Sequence, residues 1–136
     1  MYLYGICIDD IMNIKKDGII ELLKILDIYQ ECMNDCEDND DYILDWVENY
    51  ESMGYFGLGA LLYDVMTTKE LCDINIDDPN GNVFLGLSAT YPWNYNSVTR
   101  NMSEEDFNEI LRKYICLITD DELEIRMWNI PDDCDW

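Results

Sequence analysis

Seven carboxylates crowd into one short stretch of this chain: Asp35, Glu37, Asp38, Asp40, Asp41, Asp45 and Glu48. Residues of that type and spacing suit three kinds of chemistry: acid–base catalysis, cation binding, or an array of fixed negative charge. Catalysis has little else to work with. The chain contains no histidine, and thirty Asp and Glu single out no particular pair. A cysteine nucleophile would lack a histidine base, and acidic surroundings raise a thiol's pKa and so oppose its activation. No catalytic residue is therefore expected.

The cation motifs also fail on inspection. Asp73-x-Asn75-x-Asp77 opens like a calcium loop, but Asp78 stands where glycine is needed and Phe84 where the bidentate glutamate belongs. Asp35-x-Glu37-x-Asn39 puts Trp46 at that last position. Cys32-x3-Cys36 has no histidine to complete a zinc set. Gly54-x-x-Gly57-x-Gly59 lacks the lysine of a phosphate loop. No metal or cofactor is expected.

The charge array remains. Thirty acidic residues against eight basic ones give a net charge of −22 over 136 residues. Solubility alone is served by a net charge of magnitude about 2 to 8 in a small domain. A compact chain of this length has a diameter of roughly 37 Å. Duplex DNA of that length carries about 22 phosphate charges. Direct binding to nucleic acid is thereby excluded, whereas binding to a basic, nucleic-acid-binding protein is favoured. No basic residue falls between Asn34 and Met53, so that stretch is expected to be the most negative continuous surface, with Asp41, Asp45 and Glu48 on one side of a helix and Trp46 on the other. Crowded carboxylates also predict pKa values raised by mutual repulsion. A second candidate interface is Tyr91-Pro92-Trp93-Asn94-Tyr95, where Tyr91, Trp93 and Tyr95 would serve as anchors if exposed and as a lid on the sheet if buried.

The elements that position these residues follow from periodicity. Residues 2–8, 71–77, 83–88 and 122–129 read as strands, being β-branched, aromatic or alternating. Helical spacing runs over 18–31, over 42–53 with Asp40 or Asp41 as N-cap and Gly54 closing it, over Gly54–Thr68, and over the stretch that Ser103 caps, with Phe107, Leu111, Ile115 and Ile118 on one face. Gly57 and Gly59 weaken the helix over Gly54–Thr68, although glycines also permit close helix packing, and Asp78-Pro79-Asn80-Gly81 reads as a type I turn. The expected class is α+β: a small four-stranded, mainly antiparallel sheet with about four packed helices. Residues 1–136 are expected to form a single domain, with 130–136 a frayed tail. The N-terminus lacks a basic region before its apolar residues and no apolar run reaches about 18 residues, so neither a signal peptide nor a membrane contact is expected. Four of the six cysteines sit beside Ile, Leu or Met, Cys7 and Cys116 among them, and read as free, buried thiols; in a cytoplasm the thiols are expected to stay reduced.

In size, acidity, lack of histidine and richness in Ile, Asn, Asp and Tyr, the chain resembles nucleic-acid-mimicking inhibitors of host defence carried by phages of low-GC bacteria, the anti-CRISPR and anti-restriction proteins. The resemblance implies a non-catalytic inhibitor acting in the cytoplasm of a bacterial host cell. It would occupy the basic groove of a CRISPR effector or restriction nuclease and block DNA or RNA binding. Two other classes stay open: an immunity or adaptor module using the Tyr91–Trp93–Tyr95 loop, and a small carboxylate-dependent enzyme.

Overall fold

The computed structural model describes residues 2–52, 54–69, 72, 74–89 and 104–130. In order these form β1 (Tyr2–Cys7), α1 (Lys16–Ile25), α2 (Tyr29–Asp35), α3 (Ile43–Glu48), β2 (Glu51–Ser52), β3 (Tyr55–Phe56), α4 (Leu58–Thr68), β4 (Ile74–Asp77), β5 (Val83–Ala89), α5 (Glu104–Ile118) and β6 (Arg126–Asn129), with 3-10 turns at Ile8–Asp10 and Asp40–Tyr42. The fold is α+β. Its main sheet has the order β4-β5-β1-β6 with every neighbour antiparallel, and β2 and β3 form a separate two-stranded hairpin.

Strand alternation gives the sheet two apolar faces. Tyr4 and Ile6 of β1 lie opposite Leu87 and Leu85 of β5, and this face packs on Leu22 and Leu23 of α1, Leu62 and Met66 of α4, and Phe107 and Leu111 of α5. Leu3, Cys7, Phe84 and Ile130 form a smaller cluster on the other face, with Trp128 packed against it. Trp128 Nε1 donates to the Gly5 carbonyl at 2.9 Å, which ties β6 to β1 by a side chain as well as by the ladder.

Where the helices stop differs from the periodicity. The 18–31 helix is two helices, because Asp27 takes a left-handed conformation (φ 58°) and the Ile28 N–H reaches back to the Leu23 carbonyl at 3.0 Å, a Schellman-type stop. Aspartate fills the place usually held by glycine, so the apolar period ran on through the break. The 42–53 helix ends at Glu48 and passes into the β2–β3 hairpin, which Gly54 turns at φ 86°. The third helix accordingly begins at Leu58 rather than Gly54. The 122–129 strand is shorter than expected, at Arg126–Asn129, and within 71–77 the strand is described over Ile74–Asp77, with Leu71 and Asp73 outside the described residues. The described residues include five α-helices. Ser103, the Tyr91–Tyr95 loop and the 131–136 tail lie outside the described residues.

The turn at Asp78–Gly81 forms as expected, with the Gly81 N–H on the Asp78 carbonyl at 3.0 Å and Gly81 at φ 86°. Close packing occurs at Gly18, not at Gly57 or Gly59: a Cβ at Gly18 would fall 1.6 Å from the Leu117 carbonyl oxygen, whereas one at Gly59 would meet only Val83 at 3.5 Å. α1 thus rests its first turn on the last turn of α5. The docking is reinforced where the Lys15 N–H meets the Ile118 carbonyl at 2.6 Å, and where Asp121 accepts from the Met12 and Asn13 N–H groups at 2.7 and 2.9 Å.

Those donors, Asn13 first, hold the Asp121 carboxyl below its usual range. Asp78 is also held low: burial pushes it up, but the Asn82 side chain and the Asn82 and Asn80 N–H groups outweigh that. Asp77 goes the other way, raised by burial and then by Asp9 and Asp78. Repulsion among carboxylates thus adds to burial at Asp77, while local hydrogen-bond donors lower Asp78 and Asp121.

Two outcomes follow. Replacing Gly18 by Ala forces α1 away from backbone that has nowhere to go, and lowers stability by roughly 1–3 kcal/mol in urea denaturation; an unchanged midpoint would refute the close approach. A depressed native pKa adds stability above the unfolded aspartate value and loses it as pH falls through the native one. Asp121→Ala therefore lowers the melting temperature at neutral pH and flattens its fall on acidification, measured by thermal melts across that range.

Candidate functional site

The acidic stretch begins as α2 ends. The Cys36 N–H closes that helix on the Cys32 carbonyl at 2.9 Å, and Glu37 and Asp38 follow in left-handed conformations, φ 54° and 59°. The Asp38 N–H returns to the Met33 carbonyl at 2.8 Å. Consecutive non-glycine residues in that region are uncommon, and here both carry charge. The chain re-enters helical structure at Asn39, whose side chain accepts the Asp41 N–H at 3.0 Å. Asn39, not Asp40 or Asp41, is the cap, so both aspartates stay turned outward on the 3-10 turn.

Asp35, Glu37, Asp38, Asp40, Asp41, Asp45 and Glu48 are all exposed. The structure sorts them into groups. Asp35, Glu37 and Asp45 line one open cleft of about 450 Å³, together with Cys36, Tyr42, Trp46 and Asn49. Asp40 and Asp41 stand beside Lys16 Nζ, at 3.5 and 3.9 Å. Asp38 and Glu48 line neither place. Lys16 arrives from the start of α1, so the stretch without basic residues in sequence is not without them in space. Exposed pairs of this kind are worth about 0–1 kcal/mol; Lys16 dilutes the charge at Asp40 and Asp41 more than it fastens them.

Rigidity comes from beneath. Ile43 and Val47 of α3 and Cys32 and Cys36 of α2 are buried in the main core. The two sulfurs lie 4.0 Å apart, and burial first, then Cys36, pushes the Cys32 thiol up, which keeps it protonated and inert. Trp46 joins the two helices: its Nε1 donates to Asp35 Oδ2 at 2.8 Å, and its ring meets Tyr50 at 5.8 Å between centroids. Trp46 is therefore both core anchor and cleft wall, whereas the helical stripe assigned it to the core alone. Tyr42, 54 % exposed, also lines the cleft. The sequence reading missed Tyr42, Asn49 and Cys36; the spacing of Tyr42 and Trp46, four residues apart around Asp45, was the available signal.

Behind the cleft, Asp64 of α4 accepts the Tyr50 hydroxyl and, at 2.6 Å, the Ser52 hydroxyl, which fixes the β2–β3 hairpin to α4. Burial and then that carboxylate push the Tyr50 phenol up, so it stays a donor. Among the described cysteines Cys7, Cys32, Cys36 and Cys72 are buried, but Cys116 is exposed on α5, one position past the buried Ile115. Among the described residues, no group of three His, Cys, Asp or Glu is placed to hold a metal ion, and no helix is long and apolar enough to cross a membrane. Asp73 and the Tyr91, Trp93 and Tyr95 loop lie outside the described residues. No family model, curated protein or solved structure matches the chain.

The Asp35–Trp46 hydrogen bond makes a checkable claim. Asp35→Ala frees the indole edge, so Trp46 becomes more accessible to acrylamide quenching while stability falls by only about 1 kcal/mol. Unchanged quenching would show that the core, not Asp35, sets the indole.

Proposed function

We propose that this chain is a non-catalytic acidic inhibitor: it binds the basic nucleic-acid groove of a protein such as a CRISPR effector or restriction nuclease and keeps DNA or RNA out. The observation that carries this reading is the 35–48 stretch, seven exposed carboxylates on ordered backbone over a buried apolar footing. A net charge of −22 makes nucleic acid itself a repelled partner and a basic groove an attractive one. Long-range attraction of this kind speeds encounter and is weakened by salt. The fixed backbone limits the ordering cost that a flexible acidic tail would incur on binding. The bacterial cytoplasm is the compartment in which such a partner would be met.

The test is charge reversal at sites with unequal claims. Basic proteins captured by the chain from a bacterial lysate at low salt are released by high salt, and the chain competes with DNA or RNA for binding to them. Reversing Asp38, Asp45 and Glu48 to Lys leaves folding intact and weakens that binding at least about tenfold, equivalent to ~1.4 kcal/mol. The same reversal at Glu104, Glu105 and Glu109 on α5 weakens it less. Equal losses at both places would reduce the interface to a diffuse field, and binding indifferent to salt would remove the electrostatic reading.

A further inference from the structure

We infer that the cleft between α2 and α3 seats an arginine side chain of the basic protein partner. This rests on the proposed function for its partner, but on the shape and composition of the cleft for its chemistry.

The cavity, about 450 Å³, falls within the range of ordinary ligand pockets, roughly 300–1,000 Å³. It is far larger than a bare ion requires, and no three-ligand metal group exists among the described residues. Two kinds of surface line it. Tyr42 and Trp46 supply aromatic walls, and Asp35, Glu37 and Asp45 supply carboxylates. Neither a neutral apolar ligand nor an anion suits that combination. A cation that is flat, weakly hydrated and rich in N–H donors suits it well, and among protein side chains that describes guanidinium. Arginine stacks on aromatic rings and can donate to several carboxylates at once, whereas lysine brings a compact, strongly hydrated charge.

Details of the lining favour the same occupant. The indole N–H of Trp46 is taken by Asp35, which leaves the ring rather than the polar edge to meet a ligand. Asn49 Nδ2 donates to the Asp45 carbonyl at 3.0 Å, and its amide oxygen is a further acceptor on a residue of the lining. The chain already stacks guanidinium on indole elsewhere: Arg126 lies 3.6 Å from the Trp128 ring centroid. No basic side chain of the described residues lines the cleft, so a guanidinium must come from outside them. Trp46 also walls a second, smaller depression with Glu31 and Glu51, so a basic segment lying across the indole meets carboxylates on both sides.

Hexa-arginine and hexa-lysine peptides of equal charge separate this from general acidity. The intact chain binds hexa-arginine at least about tenfold more tightly than hexa-lysine, and the Trp46 indole N–H resonance shifts with the arginine peptide. Tyr42→Ala leaves net charge unchanged and removes that preference. Asp45→Asn, a smaller change, reduces it and serves as a second variant should Tyr42→Ala fold poorly. If the two peptides bind alike, or if both variants keep the preference, the cleft is not an arginine seat. In that case salt-dependent capture of basic proteins would still leave the acidic-inhibitor reading standing. A preference lost in the variants, with captured proteins whose nucleic-acid binding the chain does not block, would keep the cleft and overturn the inhibitor reading.

Discussion

With thirty acidic side chains and eight basic ones, most carboxylates in this protein cannot find a cation, and the fold depends on giving the important ones neutral donors instead. Asp9 accepts the Val83 N–H at 2.6 Å, joining the turn after β1 to the start of β5. Asp78 accepts the Asn80 and Asn82 N–H groups, each at 2.9 Å, and shapes the β4–β5 turn. Asp121 takes up two N–H groups of the segment before α1, and Asp64 takes up two hydroxyls of the hairpin region. Asp9, Asp78 and Asp121 sit where the chain changes direction and accept backbone donors there, whereas Asp64 lies within α4 and accepts side-chain hydroxyls. Hydrogen bonds of a charged acceptor to fixed donors are short and specific. The described ion pairs, such as Lys24 with Glu21 at 3.8 Å, are exposed and screened by comparison. Negative charge thus serves as internal fastening at the turns and remains uncompensated on the surface.

This division explains what the sequence made legible. The strands of the main sheet showed because apolar and alternating runs report burial directly, with Tyr4 and Ile6 facing the helices and Leu3 and Cys7 the other side; their order did not, and the β2–β3 hairpin read as helix. α5 showed equally well, since Phe107, Leu111, Ile115 and Ile118 all enter the core. Helix ends did not. Three acidic residues, Asp27, Glu37 and Asp38, hold left-handed backbone that a reader expects glycine to mark. Conversely Gly54, which looked like a helix terminator, turns a hairpin. Where a chain spends carboxylates on capping and turning, the usual glycine punctuation loses its meaning.

The candidate site was legible as charge but not as shape. Seven carboxylates in a run can be counted from the sequence; their sorting into a cleft group, a lysine-neighboured group and two outliers cannot. That sorting depends on contacts between elements: α1 brings Lys16 to the 3-10 turn, and α2 packs beside α3 so that Asp35 meets Trp46 eleven residues away. The period correctly assigned Trp46 a buried side, yet a half-buried tryptophan has a second side, and the amphipathic pattern says nothing of what it borders.

A field of charge and a shaped cleft do different physical work, and their coincidence here is what gives the acidic stretch its interest. The field acts over about 8–10 Å at physiological ionic strength and chooses the sign of a partner without choosing its chemistry. The cleft acts only on contact, through two aromatic side chains whose positions do not depend on net charge. Trp46 belongs to both regimes, since an exposed carboxylate fixes its edge while the core fixes its base. A surface built in this way would draw in any basic protein and discriminate at close range by the shape of the cation. On the proposed reading, specificity in so acidic a chain would reside in Tyr42 and Trp46, two side chains that contribute nothing to the charge.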